Sequence, residues 1–152
     1  MSTPRPGRPV RRTTGVRTDP EKLAAAQAAH DDTDADTRQA LGQLGEALVA
    51  DAYQQQGYLL VERNWRHRDG ELDLIISRDG TMVFCEVKTR TSHAFGSPAD
   101  AVTREKRERI RALAAAWLRE HRGIAKELRF DVAAVTMREG AETEIEIIEG
   151  AF

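Results

Sequence analysis

Two runs of sequence decide the fold: Gly70-Glu71-Leu72-Asp73-Leu74-Ile75-Ile76-Ser77 and Thr81-Met82-Val83-Phe84-Cys85-Glu86-Val87-Lys88. Each run is apolar or alternates between apolar and polar residues, which is typical of a β-strand. Arg78, Asp79 and Gly80 lie between the runs. An Asp-Gly pair in this setting favours a tight turn, because glycine readily adopts the positive φ that the turn requires. The stretch therefore predicts a β-hairpin with Asp79 and Gly80 as its loop.

The predicted register places two carboxylates side by side. Counting outward from the turn, Asp73 lies opposite Glu86, and residues paired in this way have Cβ atoms about 4.5–5.5 Å apart. Two such carboxylates repel each other unless a metal cation or a shared proton compensates. Lys88 follows Glu86 by two residues and projects from the same face of the strand. Asp73, Glu86 and Lys88 are therefore candidate functional residues.

The alternative interpretation is that Lys88 and Glu71 form a cross-strand ion pair on an exposed face. We consider it the weaker one, because two acids seldom lie directly opposite each other on an exposed face without a cation. The residues that alternate with the charged ones would form an apolar face toward the core, made of Leu72, Leu74, Ile76, Val83, Cys85 and Val87.

The bulk composition fits one domain with some additional chain. The sequence has 152 residues, 40% of them hydrophobic, and a net charge of −2, so no overall basic field indicates a nucleic-acid-binding protein. Cys85 is the single cysteine, which excludes an internal disulfide and agrees with a reducing compartment. The sequence contains no apolar run of transmembrane length and no signal peptide that we recognise. We therefore expect a cytoplasmic protein without a membrane partner.

We expect the first 36 residues to lie outside the folded domain. Residues 1–17 contain five arginines and no acidic residue, which predicts a disordered basic arm that either grasps phosphate or is simply solvated. Residues 31–36 form an acidic linker. The predicted domain then spans residues 37–152.

The remaining pattern predicts a mixed sheet flanked by helices. Helices are predicted at residues 37–56 and 98–121, and further strands at residues 58–61, 128–136 and near 145–148. The helix between the hairpin and the strand at 128–136 indicates a crossover, so that this strand should run parallel to residues 81–88. The last strand, rich in glutamate, is predicted at an edge of the sheet. The fold class is α/β.

Several basic residues could contact a nucleic-acid backbone. Arg63 and Arg66 flank Trp65, which could stack on a base, although a solvated loop with one packed tryptophan explains this segment equally well. Arg90 lies in a polar loop that leaves the strand carrying Glu86 and Lys88. Lys106 belongs to the basic first turns of the second helix, where a solvated face with internal ion pairs is the commoner outcome.

Two carboxylates and a lysine on adjacent strands suit phosphodiester hydrolysis. The carboxylates can hold Mg²⁺ or a similar hard cation through oxygen atoms, and the cation then binds phosphate oxygens and activates water. The lysine can orient or deprotonate that water, or stabilise negative charge on the phosphoryl group.

The motifs also carry a family resemblance. Asp73 followed after thirteen residues by Glu86-Val87-Lys88 resembles the PD-(D/E)xK signature of restriction-endonuclease-like nucleases. A wider set of motifs resembles the YraN family, a bacterial group that is also similar to archaeal Holliday junction resolvases. These motifs are Gly42-Gln43-Leu44-Gly45-Glu46, Gly57-Tyr58, Arg63-Asn64-Trp65-Arg66, Gly70-Glu71-Leu72-Asp73, Phe84 to Arg90, Phe95-Gly96-Ser97-Pro98, Lys106 and Arg129-Phe130-Asp131-Val132.

The resemblance implies a restriction-endonuclease-like mixed β-sheet and assigns roles to individual residues. Glu46 would be a helix carboxylate near the metal, Asp73 and Glu86 the principal metal ligands, and Lys88 the catalytic lysine. The carbonyl of Val87 would be a further ligand. Mg²⁺ or Mn²⁺ would be the cofactor. Because a resolvase needs two active sites, a homodimer is a candidate assembly.

The sequence thus leads to two hypotheses of different kinds. The first is a divalent-metal-dependent nuclease that acts on DNA, with branched or recombination intermediates as candidate substrates. The second is a module of the same fold that binds nucleic acid or a partner protein without catalysis. The complete set of Asp73, Glu86 and Lys88 favours the first.

Overall fold

The computed structural model describes residues 9–16, 34–91, 98–122, 125–138 and 140–152. The basic arm before residue 9, the linker before residue 34 and part of the loop after Arg90 lie outside these residues. The elements are β1 (Val10–Val16), α1 (Asp34–Gln55), β2 (Leu59–His67), β3 (Gly70–Arg78), β4 (Thr81–Arg90), a short 3₁₀ helix (Pro98–Ala101), α2 (Arg104–Glu120), β5 (Glu127–Thr136) and β6 (Thr143–Glu149).

The protein is a mixed α/β structure, and its architecture agrees with a restriction-endonuclease-like fold. Within the described part of the chain, six strands form one sheet in the order β1-β6-β5-β4-β3-β2. β4 and β5 are parallel, as the crossover through α2 predicted, and the other neighbours in the sheet are antiparallel. The fold class and the orientation of these two strands are confirmed.

The hairpin has the predicted turn and register. Asp79 and Gly80 both have positive φ, at 50° and 84°, as a two-residue turn of this kind requires. The β3–β4 ladder runs from the Arg78–Thr81 pair to the Leu74–Cys85 pair. At the next position the Asp73 carboxylate accepts a hydrogen bond from the Val87 backbone N–H, at 2.9 Å from Oδ2. A side chain therefore continues the contact between the strands where the backbone ladder ends.

The predicted apolar face of the hairpin holds for Leu74, Ile76, Val83, Cys85 and Val87, which lie in one cluster, but it is wrong for Leu72, and the opposite face of the sheet is covered as well. Val49 and Tyr53 of α1 pack with Leu74 on one face. Leu113 and Trp117 of α2 pack on the other face, in a cluster that also contains the hairpin residues Leu72, Ile75, Met82 and Phe84. In a regular strand residues two apart share a face, so the assignment of Leu72 and Leu74 to different clusters shows that the alternation breaks at Asp73.

The prediction of structure only after residue 36 also needs correction. Residues 10–16 form β1, which pairs antiparallel with β6, and α1 begins at Asp34. Consequently β6 is not the edge strand that its glutamates indicated. Arg11 contacts Glu146 at 3.7 Å and Arg12 contacts Glu149 at 3.2 Å. The arginines that suggested a solvated arm thus pair across the strands with those glutamates, as opposite charges do in a sheet.

A buried aspartate fixes α1 against the sheet. Asp131 on β5 is fully buried and accepts a hydrogen bond from the Tyr53 hydroxyl of α1, at 2.7 Å. Arg129 donates to both carboxylate oxygens of Asp131 at 2.9 Å, and the Gly150 N–H donates at 3.0 Å. A buried carboxylate is tolerated when it is paired and hydrogen-bonded in this way.

Gly45 lets α1 approach the end of β4. A Cβ atom added to Gly45 would clash with Thr89 Oγ1, whereas a Cβ on Gly42 would meet nothing within 4 Å. Because Glu46 is the next residue, this close contact also determines how near its carboxylate lies to the hairpin.

We predict that Gly45→Ala destabilises the protein by roughly 1–3 kcal/mol, because the added methyl group overpacks the contact with Thr89. Gly42→Ala is the matched control on the same helix, and it should be neutral or stabilising by up to about 1 kcal/mol, since alanine favours a helix over glycine. Urea unfolding of the purified variants measures both effects.

The added substitution Thr89→Ala should restore most of the stability lost in Gly45→Ala, because it removes the atom that clashes. If Gly45→Ala and Gly42→Ala had the same effect, close packing at Gly45 would not be required.

Candidate active site

The candidate active site lies where the β3–β4 ladder ends. Three carboxylates from two elements meet there: Glu46 of α1 and Glu71 and Asp73 of β3 have oxygen atoms that all lie within 4.8 Å of one another. Glu86 of β4 is next to Asp73 and is 9% exposed. Glu86 thus adds its charge to that of the three carboxylates, and a concentration of negative charge of this kind is costly without protons or cations to balance it.

Burial and mutual repulsion disturb the ionisation of this cluster. Burial, reinforced by the charge of Glu86, raises the pKa of Asp73 from 3.8 to about 8, and the hydrogen bond from the Val87 N–H opposes this only in part. Burial also raises the pKa of Glu46, against the effect of a hydrogen bond from Asn64. The Glu46 Oε2 atom is buried and has no hydrogen-bond partner among the residues that the structure describes. These are acids that a bound cation would stabilise in the ionised form.

Two lysines converge on Glu86. Lys106 Nζ lies 2.6 Å from Glu86 Oε1, and Lys88 Nζ lies 3.9 Å from the same oxygen. Burial, together with the neighbouring Lys106 ammonium, lowers the pKa of Lys88. Burial would also lower the pKa of Lys106, but its hydrogen bond to Glu86 outweighs this, so the pKa of Lys106 is raised. Glu86 thus lies between the other carboxylates of the site and its two lysines.

The structure brings together the four residues that the sequence singled out. Glu46, Asp73, Glu86 and Lys88 lie in one cluster, and the Val87 backbone N–H contacts Asp73. The position of Glu46 could not be obtained from helix periodicity and came only from the family resemblance. These placements leave the functional roles as predictions.

Sequence reasoning missed Glu71 as a member of the cluster. We considered it only as a partner of Lys88, whereas the structure places it beside Glu46 and Asp73. The signal was present, because Glu71 precedes Asp73 by two residues and so projects from the same side of β3. Glu71 also forms a loose ion pair with Arg66, with 3.8 Å between Arg66 Nε and Glu71 Oε2.

The predicted nucleic-acid contacts are spread around the cluster. Arg63 is exposed, and its charge only partly opposes the rise that burial causes in the pKa of Glu46. Arg66 is largely exposed beside Glu71. Arg90 donates from Nε to Thr136 Oγ1 at 3.2 Å, and Lys106 is the residue bound to Glu86. All four lie on the elements that form the site, and Lys106 lies within it.

The segment around Trp65 is a strand and not a loop. Trp65 pairs with Leu72, and Arg63 pairs with Leu74, so the edge strand β2 continues to His67. The Trp65 ring is partly buried against the α2-side core and stacks on His67, with 5.4 Å between ring centroids. These contacts favour the packed tryptophan over an open platform for a base.

An open groove gives access to the carboxylates. Its volume is about 240 Å³, and its lining includes Gln39, Gln43, Glu46, Asn64, Arg66 and Glu71. Polar and charged side chains dominate this lining, which is suited to a hydrated, charged ligand more than to an apolar one. Among the described residues, no helix is both long and apolar enough to cross a membrane.

Comparison with known proteins gives the family. The model of the family described as "Uncharacterised protein family UPF0102" matches residues 45–135. A UPF0102 protein of Beutenbergia cavernae is 49% identical over 114 residues, which cover 74% of this chain and 96% of that protein. A UPF0102 protein of Acidothermus cellulolyticus is 45% identical over 129 residues, covering 78% and 97%, and one of Nocardia farcinica is 48% identical over 115 residues, covering 76% and 91%. The chain therefore belongs to the UPF0102 family, which is the YraN family that its motifs resemble.

Proposed function

We propose that this protein is a divalent-metal-dependent nuclease that hydrolyses phosphodiester bonds in DNA, with branched or recombination intermediates as its candidate substrates. The observation that supports this most is the cluster of Glu46, Glu71, Asp73 and Glu86 with Lys88 at its border. Acids gathered in this way need a compensating positive charge, and among the described residues Lys88 and Lys106 both form their ion pairs with Glu86.

The residues present fit a divalent cation. The donors are carboxylate oxygens, which Mg²⁺ and Mn²⁺ prefer, and one of them, Glu46 Oε2, is buried without a partner among the described residues. Asp73 would be the central ligand, with Glu86 and the Val87 carbonyl as the family resemblance implies, and with Glu46 and Glu71 on its other side. A bound Mg²⁺ or Mn²⁺ would supply Lewis acidity and lower the pKa of a coordinated water.

The side chains of the chain itself orient and charge the site. The Val87 N–H holds the Asp73 carboxylate in place through the 2.9 Å hydrogen bond. Lys88 is partly exposed, so its ammonium can reach a phosphate oxygen and stabilise the charge that develops there. Because the pKa of Lys88 is lowered, a larger fraction of its side chain is the neutral amine at a given pH than in an ordinary lysine, and the neutral amine is the form that can accept a proton from water.

Arg63, Arg66, Arg90 and Lys106 would hold the nucleic-acid backbone around the site. Arg63 and Arg66 lie on β2 near Glu46 and Glu71, whereas Arg90 lies on β4 and Lys106 on α2. A backbone that crosses the end of the hairpin would therefore meet positive charge on both sides of the carboxylates. The proposal also includes a cytoplasmic location and a homodimer in which two such sites act on two strands.

The alternative is a non-catalytic module that binds nucleic acid or a partner protein. The ion pair between Lys106 and Glu86 favours it, because it neutralises one of the acids without a metal. The two proposals differ in a single respect that can be measured, which is turnover of a DNA substrate.

We predict that the protein cleaves DNA in the presence of Mg²⁺ or Mn²⁺, and that Asp73→Ala and Lys88→Ala each lower the rate by at least about 100-fold, because they remove a cation ligand and a charge-stabilising group. Labelled duplex, single-stranded, flapped and four-way-junction DNA should be tested side by side. Asp51→Ala, which removes an exposed carboxylate from the same helix as Glu46, should retain the wild-type rate.

Binding without cleavage of any of these substrates by the wild-type protein would reject the nuclease and favour the binding module. Cleavage that survives in Asp73→Ala would show that another part of the molecule, or a contaminant, is responsible.

The cluster also predicts a pH dependence of stability in the metal-free protein. The pKa of Asp73 is about 8 in the folded protein, against 3.8 ordinarily, so the folded state favours the protonated acid. The resulting stability is complete below the ordinary pKa and is lost as the pH rises through about 8. The free energy of unfolding, measured with urea and a chelator from about pH 5 to pH 8, should therefore fall by up to about 1.4 kcal/mol per pH unit.

Asp73→Asn removes the titrating group and should flatten this dependence, whereas Asp51→Asn should leave the wild-type slope. Equal slopes in the wild-type protein and Asp73→Asn would show that Asp73 does not carry the effect.

A further inference from the structure

Lys106 makes the tightest charged contact of the site. Its Nζ lies 2.6 Å from Glu86 Oε1, against 3.9 Å for Lys88 on the same oxygen. Glu86 is nearly buried, whereas the Lys106 side chain remains about one third exposed, at 31%. A short contact between a buried carboxylate and an ammonium is a charge-assisted hydrogen bond, one of the stronger polar contacts in proteins.

The position of Lys106 on α2 is an unusual one for a positive charge. Lys106 lies in the first turn of the helix, where its backbone N–H donates to the N-cap residue Thr103 at 3.3 Å. The positive end of the helix dipole disfavours a cation there. The contact with Glu86 offsets this cost. Lys106 therefore brings a positive charge to the carboxylates from a helix position that disfavours one.

The negative charges of the carboxylates on the two sides of Asp73 are compensated in different ways. Glu46 and Glu71 lie with Asp73 in the group that could hold a cation, and Glu86 is bound by Lys106. If a metal ion is bound by both Asp73 and Glu86, the Glu86 carboxylate must therefore either release Lys106 or bind Lys106 and the metal ion at the same time. Two cations that bind one carboxylate repel each other, and the repulsion is large at such short distances.

We infer that Lys106 is the internal counter-cation of Glu86 and competes with a divalent cation for this carboxylate. In this role Lys106 is a positioning residue: it keeps Glu86 in place beside Asp73 when metal is absent, and it weakens metal binding by its charge. Release from Glu86 would leave its ammonium for a phosphate of the substrate. The inference rests on the proposed metal-dependent function and adds a control of metal affinity to it.

The experiment is a calorimetric titration of Mn²⁺ into the wild-type protein and three variants. Lys106→Met removes the competing charge and should bind Mn²⁺ roughly tenfold more tightly than the wild-type protein. Lys106→Arg keeps the charge and should retain the wild-type affinity. Arg104→Met is the matched control, since it removes a charge from the same helical turn at a side chain that is 93% exposed and contacts Glu108; its affinity should change less than about twofold, because exposed charges are well screened.

An unchanged or weaker Mn²⁺ affinity in Lys106→Met, with wild-type binding intact, would overturn the inference and leave the proposed function standing. Weaker binding in particular would show that Lys106 supports the ligand geometry of Glu86 and does not compete. Absence of Mn²⁺ binding in the wild-type protein and in every variant would instead overturn the metal site itself, and the inference with it. Thermal unfolding of each variant establishes that it is folded before the titration.

Discussion

The burial of Asp73 next to Glu86 is the constraint on which the rest of this structure depends. Both acids lie where β3 and β4 separate, and burial with mutual repulsion raises the pKa of Asp73 to about 8. Two contacts stabilise their charges: the Val87 N–H donates a hydrogen bond to Asp73, and Lys106 forms an ion pair with Glu86. Protein cores do not usually gather acids at such a cost without a functional reason, which is why a cation site is the simplest explanation.

The remaining architecture places further groups at this point. α1 carries Glu46 and can approach β4 closely because Gly45 has no side chain, and Tyr53 ties the same helix to the buried Asp131. α2 packs on the opposite face and sends Lys106 to Glu86 from its first turn. The two helices thus lie on opposite faces of the sheet, and each contributes one charged side chain to the end of the hairpin. The alternation of β3 breaks at Asp73 between them, so that Leu72 and Leu74 lie in different clusters.

The sequence predicted what depends on short-range rules and missed what depends on packing. The hairpin register follows from an Asp-Gly turn and a period of two residues, so the approach of Asp73 to Glu86 could be expected before the structure was known. The change of face at Leu72, the position of Glu71 beside Glu46 and the contact of Lys106 with Glu86 depend on how two helices meet a sheet, and no local pattern contains that information. β1 was missed for another reason: its arginines indicated a solvated arm, and the glutamates that pair with them lie in the last strand of the chain. Glu46 shows the value of the family resemblance, since its own periodicity gave no indication of a site.

The account holds that the carboxylates around Asp73 form a divalent-cation site, and diffraction from crystals grown with Mn²⁺ tests this most directly. Anomalous scattering locates manganese independently of any assumption about the ligands. The account predicts an anomalous peak within coordination distance of the Asp73 carboxylate, with oxygen atoms of Glu86, Glu46 or Glu71 completing the ligand set. Manganese bound only elsewhere, or an Asp73 site without a peak at saturating Mn²⁺, would contradict it.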